Sequence, residues 1–140
     1  MDADELIGCL RKSMCSGLEV EPRTVNRFMV HTSYTYPDGD ELHILMINEG
    51  GGWIFSDEGH TIMWLSYEGF NLTDLGKDLL ERTLKSNGVS FKDGELYIPI
   101  DTNSTDSIGP SLKSLIKAEI QVADLLYSDE ETDKDTFIGD

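Results

Sequence analysis

The sequence predicts an α+β domain with a mainly antiparallel sheet flanked by helices. Two turns carry this prediction. Asp93-Gly94 separates two short β-type runs, and residues 37–40 (Pro-Asp-Gly-Asp) separate two longer ones, so consecutive strands are joined tightly. Helical periodicity lies before, between and after these hairpins rather than between the strands of each pair. This arrangement favours an antiparallel sheet over a parallel one.

The chain is predicted to begin with a helix at residues 2–16, followed by a short edge strand at 18–21 that Pro22 closes. Apolar side chains at helical spacing give the helix one buried face. These residues are Leu6, Ile7, Leu10 and Met14.

Two β runs, 25–36 and 41–49, are predicted to pair around the turn at 37–40. Closure at that turn places Tyr36 opposite Glu41 and His31 opposite Met46. In this register His31 and His43 lie on opposite faces and cannot share a ligand. The hairpin is expected in the middle of the sheet because both faces are apolar. One face would carry Phe28, Val30, Tyr34, Leu45 and Ile47, and the other Met29, Leu42, Ile44 and Met46.

The remaining elements are predicted as a strand at 53–55, helices at 60–68 and 73–87, a hairpin of 89–92 with 95–100, and a closing helix. Met63 and Tyr67 are expected to be buried in the first of these helices. Asn87-Gly88 is a typical left-handed helix stop, and Pro110 is expected at the first position of the closing helix. Residues 1–127 are therefore predicted to form a single α+β domain, followed by an acidic, disordered tail at 128–140.

The chain is strongly acidic, with 27 Asp and Glu against 11 Lys and Arg and a net charge of −16 in 140 residues. This balance opposes direct binding to nucleic acid or to an anionic membrane, since both need clustered cations. No run approaches the roughly 20 apolar residues of a membrane span. Cys9 and Cys15 diverge around one predicted helix, so no disulfide is expected between them. These features together predict a cytoplasmic protein.

Turn and core motifs lie at 38–40 (Asp-Gly-Asp), 56–59 (Ser-Asp-Glu-Gly), 61–65 (Thr-Ile-Met-Trp-Leu) and 93–96 (Asp-Gly-Glu-Leu), together with Arg82 and Gly88-Val89. This set resembles the small prokaryotic and phage proteins of domain of unknown function 1828, over about residues 20–100. The resemblance implies a cytoplasmic protein common on mobile elements, and it brings no catalytic residues. The first helix, the closing helix and the tail lie outside it.

Charge distribution is the most informative functional signal. No Lys or Arg occurs between Arg27 and Lys77, and the carboxylates of this interval are predicted to cluster at loop tips. Such a surface would imitate the phosphate backbone and dock into the nucleic-acid groove of another protein. The alternative interpretation is a solvated surface that only keeps the protein soluble. The candidate protein-binding residues are Asp38, Asp40, Glu41, Glu49, Asp57, Glu58 and Glu68.

A second candidate surface is aromatic, and it consists of Trp53, Trp64, Tyr34 and Tyr36. No cation accompanies these rings, so they are interpreted as core residues or as a protein-contact patch rather than as platforms for bases.

Enzymatic chemistry is not predicted. Ser56 does not lie in a nucleophile elbow, and no glycine-rich loop ends in the lysine of a phosphate site. Turn chemistry explains the clustered acids without a metal, so no catalytic residue, metal or cofactor is expected. The residues that a Mg²⁺ or Mn²⁺ site would use are Asp38, Asp40, Glu41, Asp57, Glu58 and His60.

The sequence thus predicts a non-enzymatic, acidic phage or mobile-element protein. It would inhibit a host protein that handles nucleic acids, such as a CRISPR effector or a restriction enzyme, as a possible DNA mimic. A self-associating structural or regulatory module, dimeric through the aromatic residues, is the first alternative. A metal-dependent enzyme is the second.

Overall fold

The computed structural model describes residues 1–14, 18–70 and 73–126. These residues form an α+β domain of four α-helices and a six-stranded sheet, which confirms the predicted class. The helices are α1 (Ala3–Met14), α2 (His60–Tyr67), α3 (Asp74–Ser86) and α4 (Ile108–Ala123). The strands are β1 (Glu19–Thr24), β2 (Arg27–His31), β3 (Leu45–Glu49), β4 (Gly52–Ser56), β5 (Ser90–Lys92) and β6 (Glu95–Pro99). The predicted tail, 128–140, and Cys15 lie outside the described residues.

All neighbouring strands run antiparallel, in the order β1-β2-β3-β4-β6-β5. β1 occupies one edge, as predicted, although it continues past Pro22 to Thr24. An edge strand tolerates proline because one side of its backbone is unpaired. Its pairing with β2 is irregular between Pro22 and Thr24. β5 occupies the other edge and is only three residues long.

Helix α4 contacts the other three helices as well as β4 and β6, so it forms the centre of the helical layer. Leu112, Leu115 and Val122 on its inner face are fully buried. The prediction that Pro110 opens this helix is wrong by two positions, because α4 begins at Ile108. The ring still lies in the first turn, where backbone N–H groups have no intrahelical partner.

Helix α4 approaches α1 closely at Gly109. A Cβ atom at this position would lie 2.8 Å from Ser13 Oγ and closer still to Ser13 Cβ. We expect Gly109→Ala to lower the free energy of unfolding by about 1–3 kcal/mol because it overpacks this crossing. Denaturant titration should show a smaller loss for Gly109→Ala in a Ser13→Gly background.

The matched control is Gly8→Ala in α1, where an added Cβ meets nothing within 4 Å. This helix-interior change should stabilise the protein by about 0.5–1 kcal/mol, since alanine loses less backbone entropy than glycine. An equal cost of Gly109→Ala in both backgrounds would contradict the steric explanation.

The β2–β3 hairpin has a different register from the predicted one. Phe28 pairs with Met46, whereas the predicted partner of Met46 is His31. The observed register is offset by three residues from the predicted one. Because three is an odd number, each side chain of one strand lies on the opposite face from the one predicted relative to the other strand. Phe28 therefore shares a face with Met46, and His31 and His43 lie on the same face rather than on opposite ones.

The register differs because residues 32–44 leave the ladder. Apart from an isolated bridge between Thr35 and Glu41, this segment is a loop. Its turn is closed by Gly39 N–H, which donates to the Tyr36 carbonyl at 2.9 Å, and by Tyr36 N–H, which donates to the Asp40 carbonyl at 2.8 Å. The loop directs the Tyr36 ring into the core, where the residue is 1% exposed.

The structure confirms the predicted turn at Asp93-Gly94 and the predicted helix end at Gly88, but not the predicted burial of two side chains of α2. Asp93 and Gly94 both have positive φ, 53° and 80°, as the predicted turn requires. Gly88 follows α3 with φ 68°, which confirms the predicted stop. Met63 and Tyr67, predicted to be buried, are 42% and 81% exposed. They lie one turn apart on the outer side of the two-turn helix α2.

Candidate interaction site

The tip of the loop at 32–44 carries three exposed acidic residues, Asp38, Asp40 and Glu41, which we call the acidic loop. Trp64 Nε1–H donates to Asp38 Oδ2 at 3.0 Å, and Asp40 N–H donates to Asp38 Oδ1 at 3.0 Å. These bonds, that of Trp64 foremost, lower the pKa of Asp38. The carboxylate therefore stays ionised to lower pH than an isolated aspartate.

Charge compensation differs among the three residues of the acidic loop. Within the described part of the chain, neither Asp38 nor Asp40 forms an ion pair. Glu41 Oε1 lies 2.7 Å from His31 Nδ1. This hydrogen bond raises the pKa of His31, so the protonated imidazole that partly neutralises Glu41 persists to higher pH than a free histidine would. The two aspartates thus carry the uncompensated charge.

Asp57 is buried, at 0% exposure, so it does not belong to the predicted acidic surface. Its Oδ1 accepts from the backbone N–H groups of Gly59 at 2.8 Å and Leu96 at 2.9 Å, and its Oδ2 accepts from Thr61 N–H at 3.2 Å. Burial raises the pKa of this carboxyl, and the three N–H groups oppose that effect. Asp57 holds β6 and the start of α2 together.

Glu58 is exposed, but its charge is compensated. Its carboxylate contacts Arg27 on β2, and it lies 3.3 Å from Nε2 of His43. Burial raises the pKa of Glu58, but its contacts with Arg27 and His43 outweigh that effect and lower it. Only its backbone is unusual, with a left-handed φ of 53° in the turn before α2.

The remaining predicted acids do not join the acidic loop in one cluster. Glu49 lies at the far end of β3, about 13 Å along the strand from Leu45. Glu68 follows α2, and its N–H donates to the Trp64 carbonyl at 3.1 Å, so it lies one helical turn beyond the tryptophan that holds Asp38. Only part of the predicted acidic surface is therefore brought together.

The predicted aromatic patch is mostly core. Trp53 and Trp64 are each 7% exposed and Tyr36 is 1% exposed, while Tyr34 alone is 47% exposed. The Tyr36 ring stacks on Trp64, with centroids 5.4 Å apart and planes 11° from parallel. Trp53 packs elsewhere and donates from Nε1 to the Met1 carbonyl at 3.3 Å. These residues form no common exposed surface, because three of the four side chains point inward.

Two histidines extend the stack behind the acidic loop. The His43 and His60 rings have centroids 4.6 Å apart and are 14° from parallel, and the Tyr36 ring also stacks with His60, with centroids 6.0 Å apart. Burial, followed by repulsion from His43, lowers the pKa of His60. The imidazole of His60 therefore loses its proton at lower pH than a free histidine would.

Sequence reasoning missed a buried acid on α4, Glu119, which is 0% exposed. Tyr36 OH and Thr61 Oγ1 each lie within hydrogen-bonding distance of Glu119 Oε1, at 3.2 Å, and the two hydroxyl oxygens are 2.9 Å apart. Glu119 Oε2 has no hydrogen-bond partner among the described residues. Burial, followed by the charge of Asp57, raises the pKa of Glu119 well above its usual value.

The triangle of oxygens agrees with a neutral Glu119. Three contacts need three hydrogens, and the hydroxyls of Tyr36 and Thr61 supply only two. A proton on Glu119 Oε1 supplies the third, so that Oε1 donates to one hydroxyl and accepts from the other, and it removes the cost of a buried charge. Glu119 in this form connects α4 with the loop at 32–44 and with α2.

Metal coordination receives no geometric support from the described part of the chain, where no three His, Cys, Asp or Glu side chains are placed to hold an ion. Across the same residues, no helix is both long and apolar enough to cross a membrane.

A family model described as "Domain of unknown function DUF1828" matches residues 32–122. The match begins directly after β2, so it covers the acidic loop, Asp57 and Glu58 but leaves out α1 and the β1–β2 hairpin. It also includes nearly all of α4, so the expectation that the closing helix lies outside the resemblance is wrong. No curated protein and no solved structure matches the chain.

Proposed function

This chain belongs to the DUF1828 family of domains of unknown function, and from its own residues we propose that it is a non-enzymatic acidic protein that binds and inhibits a protein handling nucleic acids. The partner presents a basic nucleic-acid groove, and the acidic loop enters it in place of phosphates. In this proposal the chain acts in the host cytoplasm as a phage or mobile-element protein. Its target is a defence enzyme of the CRISPR-effector or restriction type.

One observation carries the proposal: Asp38 and Asp40 are exposed carboxylates without a cation partner in the described chain, on a turn with a hydrogen-bonded backbone in which the Asp38 carboxylate is itself anchored. Two backbone hydrogen bonds close the turn, and the Trp64 bond anchors Asp38 to α2. A fixed loop loses little conformational entropy on binding, so more of its electrostatic energy appears as affinity.

The surrounding charge strengthens the field of the acidic loop. No Lys or Arg occurs between Arg27 and Lys77 in the sequence, and the net charge of the chain is −16. A field of one sign raises the rate at which an oppositely charged partner is encountered. A complex formed in this way should weaken as salt rises, because exposed charges are screened over a Debye length of about 8 Å at physiological ionic strength.

We expect the triple variant Asp38→Asn, Asp40→Asn and Glu41→Gln to stay folded and to lose association rate with its partner by about tenfold or more, since charged rims act chiefly through steering. Asp57 is left unchanged because it is buried, and Glu58 because its charge is already compensated by Arg27. The measurement is capture from host extracts, followed by surface plasmon resonance on the identified partner with duplex DNA as competitor.

The matched control is Glu5→Gln, Glu81→Gln and Asp106→Asn, which removes three exposed negative charges away from the acidic loop. This variant should retain the association rate within about twofold, because distant exposed charges are screened. If the acidic-loop variant binds the same partner at the same rate at low salt, or if DNA does not compete, the proposal fails.

A further inference from the structure

A groove of about 360 Å³ runs along the outer side of α4, and its chemistry is opposite to that of the acidic loop. This volume is within the range of ordinary ligand sites. The residues that line it are Tyr34, Lys113, Ile116, Lys117, Ile120 and Gln121.

The charged groups of the groove are both cations. Lys113 and Lys117 are exposed and lie one helical turn apart, and neither forms an ion pair within the described residues. Gln121 is fixed by Asn87, whose Nδ2–H donates to Gln121 Oε1 at 2.8 Å. The amide nitrogen of Gln121 therefore remains as a donor beside the two ammonium groups. A ligand that binds beside these three donors must supply hydrogen-bond acceptors, and carboxylates pair best with the two ammonium groups.

The base of the groove is apolar. Ile116 is 4% exposed and forms its floor, Ile120 is half-buried, and the Tyr34 ring, at 47% exposure, forms a side. An aliphatic or aromatic side chain placed between Tyr34 and the two isoleucines would be removed from water while its flanking groups reach the lysines.

We propose that this groove binds an acidic peptide segment of a partner protein, anchored by one large apolar side chain. Charge complementarity favours an acidic partner, because the groove combines an apolar floor with two lysines that form no ion pair among the described residues. Attraction is local because the chain's other carboxylates are screened beyond about 8 Å at physiological ionic strength. The groove is a second surface of opposite charge, and its Tyr34 belongs to the same 32–44 loop whose tip carries the acidic loop.

The test is a fluorescence-anisotropy titration of the full chain with a labelled synthetic peptide in which a central Phe-Leu pair is flanked by Asp and Glu. A peptide with Lys at every acidic position controls for the apolar pair. We expect saturable binding of the acidic peptide and a loss of affinity of about tenfold or more in Lys113→Glu/Lys117→Glu, since two attractive contacts become repulsive. Ile120→Asn should weaken binding without a change in charge.

The matched control is Lys77→Glu/Lys85→Glu, which changes the net charge equally at exposed positions of α3 outside the groove. Affinity in this variant should stay within about twofold of the original. An equal loss in both variants would show that only overall charge matters and would overturn the proposal, as would the absence of saturable binding.

Two further outcomes would assign the groove to another occupant and overturn the proposal. Sedimentation could show a dimer that Lys113→Glu/Lys117→Glu dissociates, which would place a second copy there. Peptide binding that appears only after Phe137→Ser/Ile138→Ser would assign the groove to the chain's own last residues.

Discussion

Replacing Asp57 by alanine is expected to lower the free energy of unfolding by about 3–5 kcal/mol, because three N–H groups, two of them buried, lose their acceptor at once. These donors belong to Gly59, Thr61 and Leu96, so the loss affects both the start of α2 and its attachment to β6. A domain of this size typically has 5–15 kcal/mol in total. Thermal unfolding followed by circular dichroism should show a Tm reduced by more than about 10 °C.

Asp57→Asn tests whether Asp57 stabilises the fold through its hydrogen-bond acceptors or through its negative charge. Its remaining oxygen can still accept from Gly59 and Leu96, so the loss should be smaller than for alanine. Asp106→Ala, at an exposed position whose carboxylate accepts no hydrogen bond within the described residues, is the control and should leave Tm within about 2 °C. An unchanged Tm in Asp57→Ala would refute the structural role and return Asp57 to the candidate surface residues.

The second large effect concerns pH, through Glu119. Its pKa is raised in the folded protein, so the folded state binds the proton more tightly than the unfolded chain does. The resulting stability is fully present below the unfolded pKa, near 4.5, and is lost as pH rises from there through the raised pKa. Each pH unit inside this window lowers the free energy of unfolding by about 1.4 kcal/mol.

Glu119→Gln removes this dependence because the amide cannot ionise, and its oxygen can still accept from Tyr36 and Thr61. Urea titrations between pH 5 and pH 9 should show the variant gaining stability relative to the original protein as pH rises. The difference between the two proteins isolates Glu119, since groups such as His31 and His60 contribute to both curves. Parallel curves across this range would show that Glu119 is not protonated in the fold.

Local sequence signals predicted much of the fold. Asp93-Gly94 and Asn87-Gly88 were sufficient to place a hairpin and a helix end, because positive φ is demanded by the turn itself. The β2–β3 register could not be predicted in the same way. Thirteen residues, 32–44, separate the two strands, and their path depends on where Tyr36 is buried. The position of the Tyr36 ring is determined by contacts with Thr61 of α2 and Glu119 of α4, which are distant in sequence.

The candidate site likewise contains residues that local sequence signals predict and residues that only distant contacts place. Exposed turn acids such as Asp38 and Asp40 were predictable from composition, whereas the burial of Asp57 depends on β6. Glu119 did leave a signal, since it falls at helical spacing between Leu115 and Val122 on the apolar face of α4. An acid in such a stripe indicates that a polar partner is buried beside it. Only the fold identifies the partners of Glu119 as Tyr36 and Thr61.

The two edges of the sheet restrict how any partner can bind. At one edge, Pro22 lacks an N–H and the ladder is irregular beside it, so an incoming strand would find an interrupted row of donors. At the other, β5 offers only three residues. Addition of a further strand, the route by which many sheets recruit peptides or aggregate, is therefore disfavoured at both edges of the sheet. Recognition must then work through side chains, and a partner would distinguish this protein by charge and shape rather than by backbone pairing.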